Sequence, residues 1–168
     1  MKGRKFLVNR NTRTIVKVAG IILVTVICSV AAYYVSSMAV GHQLATASNN
    51  MNYSRWQSKF FNLTAAVGGL TGFCSLLWFI MSRFVFKIDS AFSAGRRTFW
   101  AILAALSLVG SILIPRFYSV SLGIRVDGVV MALFVFFFTV LGYWLLSIFT
   151  TPKSFKYTPV GAQLFIRS

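Results

Sequence analysis

The stretch that decides the fold is GVVMALFVFFFTVLGYWLLSIFT, residues 128–150. It holds 23 residues and no Asp, Glu, Lys, Arg or His. The hydrocarbon core of a bilayer is about 30 Å thick, and a helix needs about 20 apolar residues to cross it. Within lipid every backbone N–H and C=O must be paired inside the protein, so a spanning segment is a helix or part of a closed barrel. A barrel strand alternates apolar and polar residues over about 10 positions. Residues 133–138 read Leu-Phe-Val-Phe-Phe-Phe and do not alternate, so this stretch reads as a transmembrane helix.

Working outward, three further stretches lack charged residues and histidine: 18–40, 60–82 and 98–115. The third is the shortest, with 18 residues ending at Pro115. The sequence therefore predicts an all-α integral membrane protein, a four-helix transmembrane bundle. A basic tail occupies residues 1–17, the membrane domain 18–150 and a second tail 151–168. The composition agrees. Hydrophobic residues make up 57% of the 168-residue chain and charged residues 11%. A soluble domain carries about 25% charged residues with the signs mixed, which speaks against a soluble enzyme or a soluble nucleic-acid binder. Disorder is excluded as well, because disordered chains are poor in apolar and aromatic residues.

The charge is lopsided: 17 Lys and Arg against 2 Asp and Glu, a net +15. Cations in short loops stay on the cytoplasmic side. Lys2, Arg4, Lys5, Arg10, Arg13 and Lys17 precede the first span, and Arg83, Lys87, Arg96 and Arg97 lie between the second and third. Lys153, Lys156 and Arg167 follow the fourth. The opposite connections hold only Arg55, Lys59, Arg116 and Arg125. Both termini are expected in the cytoplasm, which requires an even number of spans. Trp and Tyr favour the membrane–water interface. Tyr33, Tyr34, Tyr53 and Trp56 flank the first outer connection, and Trp78 and Trp100 flank the inner loop. Tyr143 and Trp144 fall in the inner half of the last span. The first apolar run exceeds the roughly 7–15 residues of a signal-peptide core, so it is expected to be retained.

Cationic residues near anionic lipid heads gain about 1 kcal/mol each. Anionic lipids are therefore the expected partners of this charge, and nucleic acid is not, since no nucleic-acid-binding motif is present. Catalytic chemistry is also missing. The two carboxylates, Asp89 and Asp127, lie in loops expected on opposite sides of the membrane, out of reach of one another as an acid–base pair. The hydroxyls in the spans have no accompanying base. His42 is isolated, and Cys28 and Cys74 lie within spans, where free cysteine acts as a small hydrophobe. No catalytic residue, cofactor or metal site is expected.

What the spans do offer is packing. Lipid tails are as apolar as leucine, so helices associate in lipid through close contact at small residues. The second span pairs Ala65 with Gly69 and Gly68 with Gly72, four residues apart. Its other half is bulky, with Leu76, Leu77, Trp78 and Phe79. Ala65, Gly68, Gly69 and Gly72 are the expected packing or partner face. The first span has Ala32 and Ser36, the third Ala101 with Ala105 and Ser107 with Ser111. No span reads as carrying a polar stripe of clear helical period. In the fourth, Phe134, Phe136, Phe137, Phe138 and Trp144 project around the whole circumference, as suits a helix exposed to lipid or one covered by a large partner.

The layout resembles the immunity proteins to pore-forming colicins of the colicin A type. The likeness rests on four short-looped spans, cytoplasmic ends, basic charge and the Tyr33-Tyr34 pair before a long outer loop. It extends to the last span running into Phe149-Thr150-Thr151-Pro152-Lys153-Ser154-Phe155-Lys156. The resemblance implies an inner-membrane protein that binds a toxin's channel domain through helix–helix contact and keeps the pore closed. Plasmid exclusion proteins of the inner membrane share this general look. The very low acidic content and the small-residue second span depart from the family, and no functional residue is carried over. The leading expectation is a non-enzymatic binder of another integral membrane protein, an immunity or exclusion factor. A structural or assembly subunit of a secretion or respiratory complex is the second, and a small channel or transporter the third.

Overall fold

The computed structural model describes residues 2–47, 53–86, 93–122, 128–152 and 159–160. All their regular structure is helical. Helix α1 runs Lys2–Ala47. Helix α2 runs Tyr53–Ile80 and ends in a π turn, Met81–Val85. Helix α3 runs Ser93–Leu122. Helix α4 covers Gly128–Thr150, and its middle, Val135–Leu145, is wound as a π-helix. Each of the four contains a segment long and apolar enough to cross a membrane.

Two helices extend past the expected limits. The 46 residues of α1 reach roughly 70 Å at 1.5 Å per residue, more than twice a hydrocarbon core. The basic tail and the start of the outer connection are thus helical extensions of the first span. No proline between Lys2 and Ala47 removes a backbone donor. Helix α3 also continues, through Pro115 to Leu122, where the sequence reading ends the span. Pro115 lacks the N–H that would bond to Ser111, but proline is tolerated in an apolar helix when neighbouring helices and hydroxyl side chains surround the freed backbone. Pro115 is buried, and Ser111 carries a hydroxyl at that level.

Helices α2 and α4 form the central pair, each packed against the other three elements, with α1 and α3 on their flanks. Three apolar layers fix the antiparallel arrangement. Ala32, Phe60, Leu63, Val67, Val130, Phe134 and Phe138 fill one end. Cys74, Trp78, Trp100, Leu103 and Tyr143 form the next layer, and Ile21, Phe79 and Leu146 pack at the other end. There the Lys17 ammonium donates to the Thr150 carbonyl at 3.4 Å, joining the start of the first apolar run to the close of the fourth. In α4, Phe134 and Phe138 face inward while Phe136 and Phe149 are exposed, so its aromatic girth is shared between the bundle and its surroundings.

Trp78 and Trp100, placed at an interface by the sequence reading, are buried. An indole N–H needs an acceptor when it leaves water. Trp78 Nε1 donates to Thr151 Oγ1 at 2.8 Å, and Trp100 Nε1 to Ser147 Oγ at 3.0 Å. Tyr143 returns the connection, its hydroxyl donating to the Trp100 carbonyl at 2.9 Å. These bonds clamp the end of α4 to α2 and α3. A double-mutant cycle on Trp100→Phe and Ser147→Ala, read from reversible unfolding in mixed micelles, should return a coupling of about 0.6 kcal/mol and not above about 1.7 kcal/mol. A coupling of zero would remove the Trp100–Ser147 bond from the clamp.

Candidate functional site

Helix α2 is the most enclosed of the four: 56% of its apolar window is buried, against 17% for α1. Its small residues explain how. A methyl group placed on Gly68 would overlap Ser29 Oγ, and one on Gly72 would lie 3.0 Å from Thr25 Cγ2. The two α1 hydroxyls are committed to their own helix: Ser29 Oγ donates to the Thr25 carbonyl at 2.9 Å and Thr25 Oγ1 to the Ile21 carbonyl at 2.8 Å. Ser29 Oγ is the atom nearest Gly68, while Thr25 turns its methyl and its hydroxyl toward Gly72. On the other flank Leu70 fits over Gly110 of α3, where an added Cβ would overlap the Leu70 Cδ2 methyl.

Ala65 and Gly69 face elsewhere. Successive helical residues are about 100° apart, so Gly69 turns away from the contact that Gly68 makes. Both Ala65 and Gly69 are exposed, and a Cβ on Gly69 would meet nothing within 4 Å. They stand on one row with Phe61 and Phe73, spaced four residues apart and 56% and 57% exposed. Ala66 is exposed beside them. The result is a shallow floor of small side chains between two rings, about 18 Å long by helical rise. Tyr33 of α1 meets Phe61 edge-on at 5.8 Å and supports the ring at one end of the floor. The four residues that the sequence groups into one face thus serve two: Gly68 and Gly72 close the bundle, and Ala65 and Gly69 line its outside.

A second arrangement escapes the sequence reading. A seam of hydroxyls runs through the bundle between α2, α3 and α4, where no polar stripe is expected. Thr71 Oγ1 and Ser107 Oγ are 3.3 Å apart, and Ser111 Oγ and Thr139 Oγ1 are 3.2 Å apart. Ser111 Oγ also donates to the Ser107 carbonyl at 2.7 Å, and Ser75 Oγ donates to the Gly142 carbonyl at 2.9 Å. Gly142 sits in the π-wound part of α4, and a Cβ there would stand 3.1 Å from Thr71 Cγ2. The signal lies in the spacing of Thr64, Thr71, Ser75 and Ser82 on α2 and of Ser107 and Ser111 on α3. All six are buried. Hydroxyls are common on apolar helices because they satisfy themselves on their own backbone, as Thr64 does on the Phe60 carbonyl at 2.8 Å. The recurrence at seven and four residues is what marks an inward row.

These hydroxyls have no base beside them. Among the described residues there is no carboxylate, and no group of three His, Cys, Asp or Glu that could hold a metal ion. Cys28 and Cys74 are free thiols, both buried. Of the cations expected to set topology, Lys17 and Arg83 are half-buried at the end where Lys17 meets Thr150, with Arg96 and Arg97 in the first turns of α3. Lys2, Arg4, Lys5, Arg10 and Arg13 lie on the helical extension of α1. Lys87, Lys153 and Lys156 lie outside the described residues. Comparison of the chain with protein-family models, curated proteins and solved structures gives no match.

The division of α2 into two faces has a direct thermodynamic consequence. Gly68→Ala should destabilise the folded protein by about 1–3 kcal/mol through overpacking. Gly69→Ala should instead leave stability unchanged or raise it by up to about 1 kcal/mol, since the methyl enters open space and alanine suits a helix interior better than glycine. Unfolding of each variant in mixed micelles measures both, and equal effects at the two positions would contradict the assignment of faces.

Proposed function

We propose that this chain is a non-enzymatic, multi-pass protein of the bacterial inner membrane that acts by binding a transmembrane helix of another integral membrane protein. Its activity is protective, as an immunity or exclusion factor, and the partner is a toxin's channel domain or a component of DNA transfer. The observation that carries this reading is the row Phe61, Ala65, Gly69, Phe73. A helix in lipid gains from close approach to small residues, and here they are open to an incoming helix while the neighbouring glycines are taken up internally. Aromatic rings at each end limit where such a helix can sit. The excess of cations at one end supports a placement with both termini in the cytoplasm.

The reading is tested by expressing the protein alone in sensitive cells and challenging them with pore-forming colicins of different types and with a donor plasmid. Survival or reduced transfer is expected for one challenge. Gly69→Leu should abolish the protection while leaving the amount and stability of the protein unchanged, because the leucine fills the floor without touching the bundle. Unchanged killing and transfer with the wild-type protein would contradict the protective role. Gentle extraction that instead yields a stoichiometric multi-subunit complex would favour an assembly subunit.

A further inference from the structure

The chain beyond α4 comes back to the bundle. Thr151, the residue after the helix, is extended and buried, and its hydroxyl takes the Trp78 indole N–H at 2.8 Å. Further on, Trp144 Nε1 donates to the Val160 carbonyl at 2.8 Å. Trp144 stands six residues before Thr150, about 9 Å back along α4 by helical rise. The Thr150 carbonyl receives the Lys17 ammonium, a charged head that stays at the water side of a membrane while its stem lies along apolar surface. The Val160 carbonyl is therefore tied to a residue well to the apolar side of that level.

The residues at this contact suit such a place. Irregular backbone at membrane depth is tolerated only where its polar groups find partners in the protein. Pro159 has no N–H to satisfy and is buried. The Val160 carbonyl has the indole N–H, and its side chain is 66% exposed. The bond lies on the outside of the bundle, where water would compete for both of its ends and acyl chains would not. No charged residue stands between Lys156 and Arg167, so no charge within that stretch opposes contact with lipid.

We propose that the segment at Pro159–Val160 is a lipid-contacting loop. The chain leaves α4 at Thr151, returns beside Trp144 and sets the Val160 side chain among the acyl chains just below the headgroups, with the indole bond as its anchor. The partner is the lipid surface, recognised through its apolar layer and not through headgroup charge. The inference rests on the chain spanning a membrane and is independent of the protein partner proposed above.

The test places a nitroxide at one position at a time in the full chain, with Cys28 and Cys74 replaced by alanine, in phosphatidylcholine nanodiscs. The labelled variants are Val160→Cys, Phe136→Cys and Asn9→Cys. Phe136 is exposed in the middle of α4, and Asn9 lies on the α1 extension, about 12 Å beyond Lys17 by helical rise. Collision rates with oxygen, which concentrates in lipid, are compared with those of a water-soluble nickel chelate. The ratio of oxygen to nickel collisions should be several-fold higher at 160 than at 9, and should approach the ratio at 136. Adding Trp144→Phe, which keeps an aromatic ring and removes the donor, should lower the ratio at 160 toward that at 9 and leave 136 unchanged. A ratio at 160 equal to that at 9, with 136 in lipid, would overturn the loop alone. A ratio at 136 equal to that at 9 would overturn the membrane reading beneath it. An unchanged ratio at 160 in the Trp144→Phe protein would overturn the indole bond as the anchor. Should Trp144→Phe fail to fold, the comparison of 160 with 9 and 136 in the protein that retains Trp144 still decides whether the loop meets lipid.

Discussion

The bundle depends on how closely α1 approaches α2. In water, burying apolar side chains would drive the two helices together; beside lipid tails that gain is absent and contact itself has to supply it. Gly68 and Gly72 let the Ser29 hydroxyl and the Thr25 side chain come as near as a backbone permits. Gly110 and Leu70 repeat the device between α3 and α2. With its two flanks held this way, α2 becomes the hub, and what it leaves outside is a narrow strip whose floor is again small. The same residue chemistry therefore serves cohesion on one side and availability on the other, and about 100° of helical rotation separates the two.

Polar groups follow the same logic of satisfaction. Away from water an unpaired donor costs far more than a formed bond returns. Trp78, Trp100 and Tyr143 carry large apolar bodies into the layer near the basic end, and each finds an acceptor on an adjacent helix or, for Trp78, on the residue that follows α4. The hydroxyls of Thr71, Ser75, Ser107, Ser111 and Thr139 join the three helices that meet in the interior. They register the helices against one another, which close packing alone does weakly where both surfaces are smooth. The π-wound part of α4 lies at the same level, and the carbonyl of its Gly142 takes the Ser75 hydroxyl.

Much of the architecture was legible in the residues. Runs without charge over 18 or more positions admit few structures but an apolar helix. The small residues of the second span also announced close contact. Which of them faced inward was not legible, because Gly68 and Gly69 are adjacent and only the position of α1 separates their roles. The helical continuation through Pro115 was hidden by a rule learned from water, where the lost hydrogen bond has no surrounding helix to soften it. Trp78 and Trp100 read as interfacial because tryptophan has two habits, and the acceptors that choose between them, Thr151 and Ser147, are distant in sequence. The hydroxyl seam is written in the seven-and-four spacing, but serine and threonine are individually common on apolar helices, and only the packed neighbours turn the row into cross-helix bonds.

The two-sidedness of α2 is the claim on which the fold, the proposed partner contact and the role of each glycine all turn. It is measured most directly by placing a nitroxide label at each position from 64 to 75 in turn, on the purified protein in lipid nanodiscs, and recording its collision rate with oxygen. Oxygen accessibility is expected to peak at 65, 69 and 73 and to fall to a minimum at 64, 67, 71 and 75. Maxima at 67, 71 and 75, or a profile without helical period, would contradict the account.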